Sequence, residues 1–224
     1  MRASVVRQLI RKDCRLQRQG ILFTMLGGAA ALAVVQFGGE VPMVVGAIWF
    51  FVSLILVGTM LPLTGIVNER KKQHLAFLMS LPVSSIQYTK AKLLSTLLMF
   101  LVPWLTLLAG ALLLVVTRGI VPRGAIPIVF ILALMPFVGM CLITATALVG
   151  ESEGWGIAAN VFCNSSYGLV WYLLSRSPAL MANAKEPVAV WNSAVLRVLG
   201  VEVGLILLIL GLTFYLQSRK RDFV

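Results

Sequence analysis

The sequence predicts an all-α membrane protein: an N-terminal interfacial amphipathic helix, then six transmembrane helices, with both termini in the cytoplasm. Three observations predict it. Of the 224 residues, 59% are hydrophobic and only 12% charged, with a mean hydropathy of +0.96. Long, nearly uncharged runs recur, each about long enough to cross ~30 Å of hydrocarbon at ~1.5 Å per residue. The basic residues also lie on alternating sides of those runs. Six are in the N-terminal segment, five in the loop after the second run and three in the tail, against five elsewhere (Arg118, Arg123, Arg176, Lys185 and Arg197). The positive-inside rule therefore puts both ends inside.

Residues 1–20 form the entry helix. On a helical wheel Val5, Val6, Leu9, Ile10, Cys14 and Leu16 share one half, while Arg7, Arg11, Lys12, Arg15 and Arg18 share the other. This pattern suits a helix lying in the headgroup plane with its arginines on anionic lipid. Asp13 falls in the apolar half. Interfacial solvation, a local pair with an arginine, or a fixed contact to the basic loop after span two would each explain it. The remaining residues, 21–224, form the membrane domain. Span one, 21–37, is rich in small residues including Gly27 and Gly28, which let helices approach closely. Gly38, Gly39 and Glu40 form a tight outer turn. Span two covers 42–67, with Pro62 expected to kink its inner end.

The segment 68–92 is the longest polar interruption in the chain. It carries Glu69, Arg70, Lys71, Lys72, His74, Lys90 and Lys92, yet Leu75, Leu78 and Met79 keep helical spacing. Pro82 stops that short helix, because it lacks an N–H and biases Leu81 away from helical dihedrals. Span three follows at 93–116 with Pro103 inside it. Span four covers 128–149, interrupted by Pro136 and Gly139. A short turn at 150–154 leads to span five, 155–174, which holds Asn160, Asn164, Ser165, Ser166 and Tyr167. That polar set serves either interhelical hydrogen bonding or the lining of a substrate path. The outer segment 175–197 has room for one or two helical turns, and span six covers 198–216.

Several chemistries are excluded. There is no phosphate-binding loop, no zinc-protease motif, no catalytic Ser/His/Asp set and no paired carboxylate within the spans. His74 is the only histidine, so no multi-histidine metal site forms in one chain, and it reads as cytoplasmic surface. The net charge of +11 is accounted for by residues flanking spans, so nucleic acid is not implied. The three cysteines have no metal spacing, and Cys141 and Cys163 lie in apolar runs as small packing residues. Gly200 and Gly204 are spaced as a helix-packing pair, a match frequent by chance. Glu202 is the one acid inside an apolar run. Snorkelling to the interface, pairing with Arg197, or contact with substrate or a proton would each explain it.

The stretch Glu69-Arg70-Lys71-Lys72-Gln73-His74-Leu75-Ala76-Phe77-Leu78-Met79-Ser80-Leu81-Pro82-Val83-Ser84, followed by Lys90 and Lys92, resembles the cytoplasmic loop of type-2 ABC exporter permeases. Ile10-Arg11-Lys12-Asp13 resembles the entry helix of the same family. Gln73 and His74 depart from it, standing where the family often has Gly-Thr. The resemblance implies a permease without a fused ATPase, in the bacterial inner membrane, working as two permeases with two separate ATPase subunits. ATP and magnesium would bind in the partner, and this chain would hold no cofactor. Residues 68–81 would be the coupling helix seated on the ATPase, through Glu69, Arg70, Lys72, His74, Leu75, Leu78, Met79, Leu81 and Pro82. The entry helix with Arg11, Lys12 and Asp13 would move with it, and spans one and five would line the permease dimer and its substrate path. A haem-exporter subunit has similar topology, though no haem ligands favour it here. An ATP-independent transporter or channel would call for more intramembrane ionisable residues than Glu202 and for internal repeats.

Overall fold

The computed structural model describes residues 2–67, 85–150 and 153–219. Among them every regular element is helical: α1 (Arg2–Val35), α2 (Glu40–Pro62), α3 (Ser85–Arg118), α4 (Ile126–Val149), α5 (Glu153–Ser175) and α6 (Ser193–Arg219). A single π-helical turn, Leu63–Val67, continues α2, and a one-turn helix, Pro178–Met181, lies between α5 and α6. Five stretches are long and apolar enough to cross a membrane: Ile10–Val35, Glu40–Val67, Tyr88–Arg118, Arg123–Val149 and Ser193–Arg219. Helix α5, with 23 residues, has the length, at ~1.5 Å per residue. Its asparagines and serines keep it out of that apolar set.

The entry segment is not set off from span one. The chain from Arg2 to Val35 is one helix, because nothing near residue 20 stops it. Gly20 lies against α2, where a Cβ would come within 2.5 Å of the flexible end of Met60. Span two also differs from a simple proline kink. Pro62 has no N–H to return to the preceding turn, and the chain takes the wider π-turn directly after it. Gly38 and Gly39, at φ 72° and 84°, make the reversal between α1 and α2, a conformation that glycine adopts without steric cost.

Helix α1 packs on α2 and α3, while α4 lies at the centre against α2, α3, α5 and α6. Leu54, Val57 and Leu61 of α2, Phe100 and Trp104 of α3 and Met140 of α4 form the main core. Phe137 stacks on Phe100 at 5.1 Å between ring centroids, and the Trp104 indole N–H donates to the Ala133 carbonyl at 2.7 Å. The close approaches are made at glycines. Gly58 of α2 faces the Pro136 carbonyl of α4, Gly28 of α1 faces Leu107 of α3, and Gly46 of α2 faces the Ala31 carbonyl of α1. At the other end of α6, Asn192 Oδ1 accepts from the Val195 N–H at 2.9 Å and caps the helix.

A side chain at Gly46 would start 2.9 Å from the Ala31 carbonyl oxygen, which is backbone and has no rotamer to turn away. Gly46→Leu is expected to destabilise the purified protein by about 1–3 kcal/mol, read as a lower melting temperature. Gly168→Ala meets nothing within 4 Å and should not lower the melting temperature, because alanine favours a helix interior over glycine.

Candidate functional site

The most polar place in the described interior lies where α1, the π-turn and the start of α3 meet. Asp13 and Gln17 are one turn apart on α1 and share a face. Lys92 and Ser95 share a face of α3. Lys92 Nζ sits 3.0 Å from Asp13 Oδ1 and 2.9 Å from Oδ2, and donates also to the Gly65 carbonyl at 2.9 Å. Ser95 Oγ donates to Asp13 Oδ2 at 3.2 Å. Both charged side chains are nearly sealed from solvent, with Lys92 2% and Asp13 4% exposed. The Tyr88 ring centroid lies 6.0 Å from the ammonium.

The end of α2 and the π-turn after it supply the backbone acceptors, and side chains of α1 and α3 take them up. Gln17 Nε2 donates to the Leu61 carbonyl at 3.3 Å, next to the Gly65 carbonyl held by Lys92. A Cβ at Gly65 would lie 2.5 Å from Gln17 Nε2, so a side chain there would push the end of Gln17 aside. The knot therefore joins three segments that are distant in sequence, and it does so with charge-assisted bonds inside the protein.

The other residues singled out in the sequence are scattered. Arg11 and Lys12 are exposed, and Lys12 Nζ lies 3.9 Å from Asp13 Oδ1. Glu69, Arg70, Lys72, His74, Leu75, Leu78, Met79, Leu81 and Pro82 lie outside the described residues. Gly27 and Gly28 face α2 and α3 of the same chain, with Ser53 Oγ 3.7 Å from the Cβ position of Gly27. The outward face of α1 is instead Phe23 and Leu26. On α5, Tyr167 is buried, its ring 6.0 Å from that of Phe51 on α2. Asn164 and Ser165 are exposed, and Asn164 Nδ2 donates to Asn160 Oδ1 at 2.9 Å. Glu202 is 8% exposed, and Arg197 does not pair with it, its Nε donating to the Ser193 carbonyl at 3.2 Å.

A family model described as "ABC-2 family transporter protein" matches residues 8–218, from the first helix to the last. The chain belongs to the ABC-2 family of transporter proteins. It is thus an integral membrane protein and the membrane component of an ABC-type transporter, with the Asp13–Lys92 knot inside the matched range. No curated protein and no solved structure matches the chain significantly.

This ABC-2 chain resolves the ambiguity at Asp13: the acid contacts the basic end of the segment after span two. Gln17, Ser95 and the Gly65 carbonyl are the members that sequence reasoning passed over. The readable signal was the Asp13/Gln17 pair, a polar stripe on the apolar half of a helix, which has to meet polar partners when buried. The backbone acceptor at Gly65 left no such sign.

Asp13→Asn removes the carboxylate that lies 2.9 Å from the buried Lys92 ammonium. A loss of about 3–5 kcal/mol is expected for breaking such a pair from one side, measured by thermal unfolding in detergent. Asp13→Leu combined with Lys92→Met should recover much of that loss, though not all, because the Gly65 carbonyl then lacks its ammonium donor.

Proposed function

We propose that this chain is one of two permease subunits of an exporter, and that residues 68–81 couple it to a separate ATPase. The observation that carries the reading is the hydrogen bond from Lys92 to the Gly65 carbonyl, together with the Asp13 ion pair. Gly65 precedes the segment 68–84 and Lys92 follows it. The base of the segment is thus closed on itself and fastened to α1. A push on the segment by a partner would move α1, α2 and α3 together instead of bending one loop.

The contact with the ATPase would use Leu75, Leu78 and Met79 as an apolar anchor, with Glu69, Arg70 and Lys72 setting its orientation and His74, Leu81 and Pro82 bounding it. ATP and magnesium would bind in the partner, and this chain would break no bond. We count α5 as a span beside the five apolar stretches, which makes six, with both termini cytoplasmic in a bacterial inner membrane. The second permease, identical or a paralogue, would dock on a face built from α1, α2 and α5. Phe23 and Leu26 of α1 and Ile48 and Val52 of α2 are exposed there, and α5 adds the exposed Asn164 and Ser165. Unsatisfied amide capacity facing lipid is costly, which favours a protein or watery partner on that side. Amphipathic, lipid-like or small toxic molecules are the substrate class expected of such a path.

Purification of the tagged protein from its native membrane should bring down an ATPase in stoichiometric amount. Leu78→Asp would place a charge in the apolar contact and should abolish that co-purification, while retention of the ATPase would count against the coupling assignment. Ser165→Cys in a cysteine-free background is expected to cross-link to a second permease subunit under oxidation. Leu207→Cys, exposed on α6, is the control that should not.

A further inference from the structure

We propose that the cleft between α4, α5 and α6 binds a hydrophobic monocation, an apolar body with a single ammonium or phosphonium charge, and that Glu202 is its counterion. The cleft holds a cavity of about 410 Å³, lined by Met135 and Leu142 of α4, Phe162 and Tyr167 of α5, and Val201 and Glu202 of α6. Its volume falls in the ~300–1,000 Å³ range of small-molecule sites, which likewise join an apolar wall to a few placed polar groups.

The polar group here is a buried acid with one oxygen left unsatisfied. Glu202 is 8% exposed, and its Oε2 has no hydrogen-bond partner among the described residues. It lies nine residues into α6, about 14 Å along the axis at ~1.5 Å per residue, too deep for its short side chain to reach the helix end. Arg197, a cation on the cavity wall, is held by the Ser193 carbonyl of its own helix. A buried acid in such a place is met by a proton or by an opposite charge, and a cationic ligand supplies the second. A neutral lipid would leave the acid unpaired. A cation with an apolar body satisfies both the wall and the acid. Phe162 and Val201 are exposed as well as lining the cavity, so it opens on the outer surface of the helices and a ligand would enter sideways from the bilayer.

The site borders the proposed dimer face. On α5, Asn164 lies about 200° around the helix from Phe162, whereas Ser165 lies about 60° from it. As a cargo site it deepens the exporter reading and rests on it; as a binding site it does not, because occupancy requires no ATPase.

The test is equilibrium binding of radiolabelled tetraphenylphosphonium to the full chain in phosphatidylcholine nanodiscs. Saturable binding to one site per chain is expected. Glu202→Gln should weaken it by roughly tenfold to a hundredfold, the usual worth of one charged contact, while Glu202→Asp should keep most of it. Val201→Trp, which fills the cavity mouth from an exposed position, should weaken it similarly without changing elution or melting temperature. No saturable binding to the unaltered chain would overturn the proposal, as would full binding by Glu202→Gln. Loss in Glu202→Gln with full binding by Val201→Trp would also overturn it, by placing the ligand outside this cavity. None of these results bears on co-purification of the ATPase, so the two readings fail separately.

Discussion

The buried ammonium of Lys92 is the constraint on which the cytoplasmic half of this fold depends. A lysine with 2% of its side chain exposed persists only where its charge and its donors are met. Asp13 meets the charge, and the Gly65 carbonyl takes a further N–H. Each partner comes from a different helix, so the position of α1 relative to α2 and α3 follows from one cation. The surroundings fit that demand. Pro62 opens the helix, the π-turn presents the carbonyl, glycine at 65 makes room for Gln17, and Ser95 takes up remaining acceptor capacity of the carboxylate.

Such a pair is a poor source of net stability, since burying two charges costs nearly what their attraction returns. Its value lies in register. An apolar contact between α1 and α3 could slide by part of a turn at little cost, whereas an ion pair with a shared carbonyl has one geometry. That distinction matters for a segment proposed to transmit displacement. The glycine contacts work in the same direction farther along the bundle. Gly28 against Leu107 and Gly46 against Ala31 bring α1 close enough to α2 and α3 that the three helices would move as one body.

Much of this architecture was legible in the sequence. The six runs correspond to α1–α6, and Gly38-Gly39 marks the reversal it appeared to mark. Hydropathy and turn chemistry are local properties, and a single sequence carries them in full. The join between residues 1–20 and span one was not legible, because a change in side-chain polarity suggests a change in environment without breaking a helix. The role of Gly27 and Gly28 was likewise only half readable. Small residues announce a close neighbour but do not say whether it is in the same chain, and here the neighbours are α2 and α3. Asp13 could be flagged as out of place, yet its partner Lys92 lies far along the chain, and the further acceptor of that lysine is a backbone carbonyl, which no residue type encodes.

The two misplaced acids, Asp13 and Glu202, looked alike in sequence and differ completely in the fold. Asp13 has its cation at 2.9 Å; Glu202 has a cavity in front of it and an arginine bonded elsewhere. The difference marks Asp13 as a structural tie and, under the proposed reading, leaves Glu202 open to a ligand. Helix α5 separates that acid from the exposed asparagine flank. Its buried ridge of Ala159, Cys163 and Tyr167 rests on α4, with Phe162 and Ser166 turned to the cavity side and Asn164 to the other. Under the proposed reading, a shift of α5 that changed the subunit interface would also change the shape of the cavity around Glu202. No wire of residues is needed for that coupling, because both surfaces belong to one rigid helix.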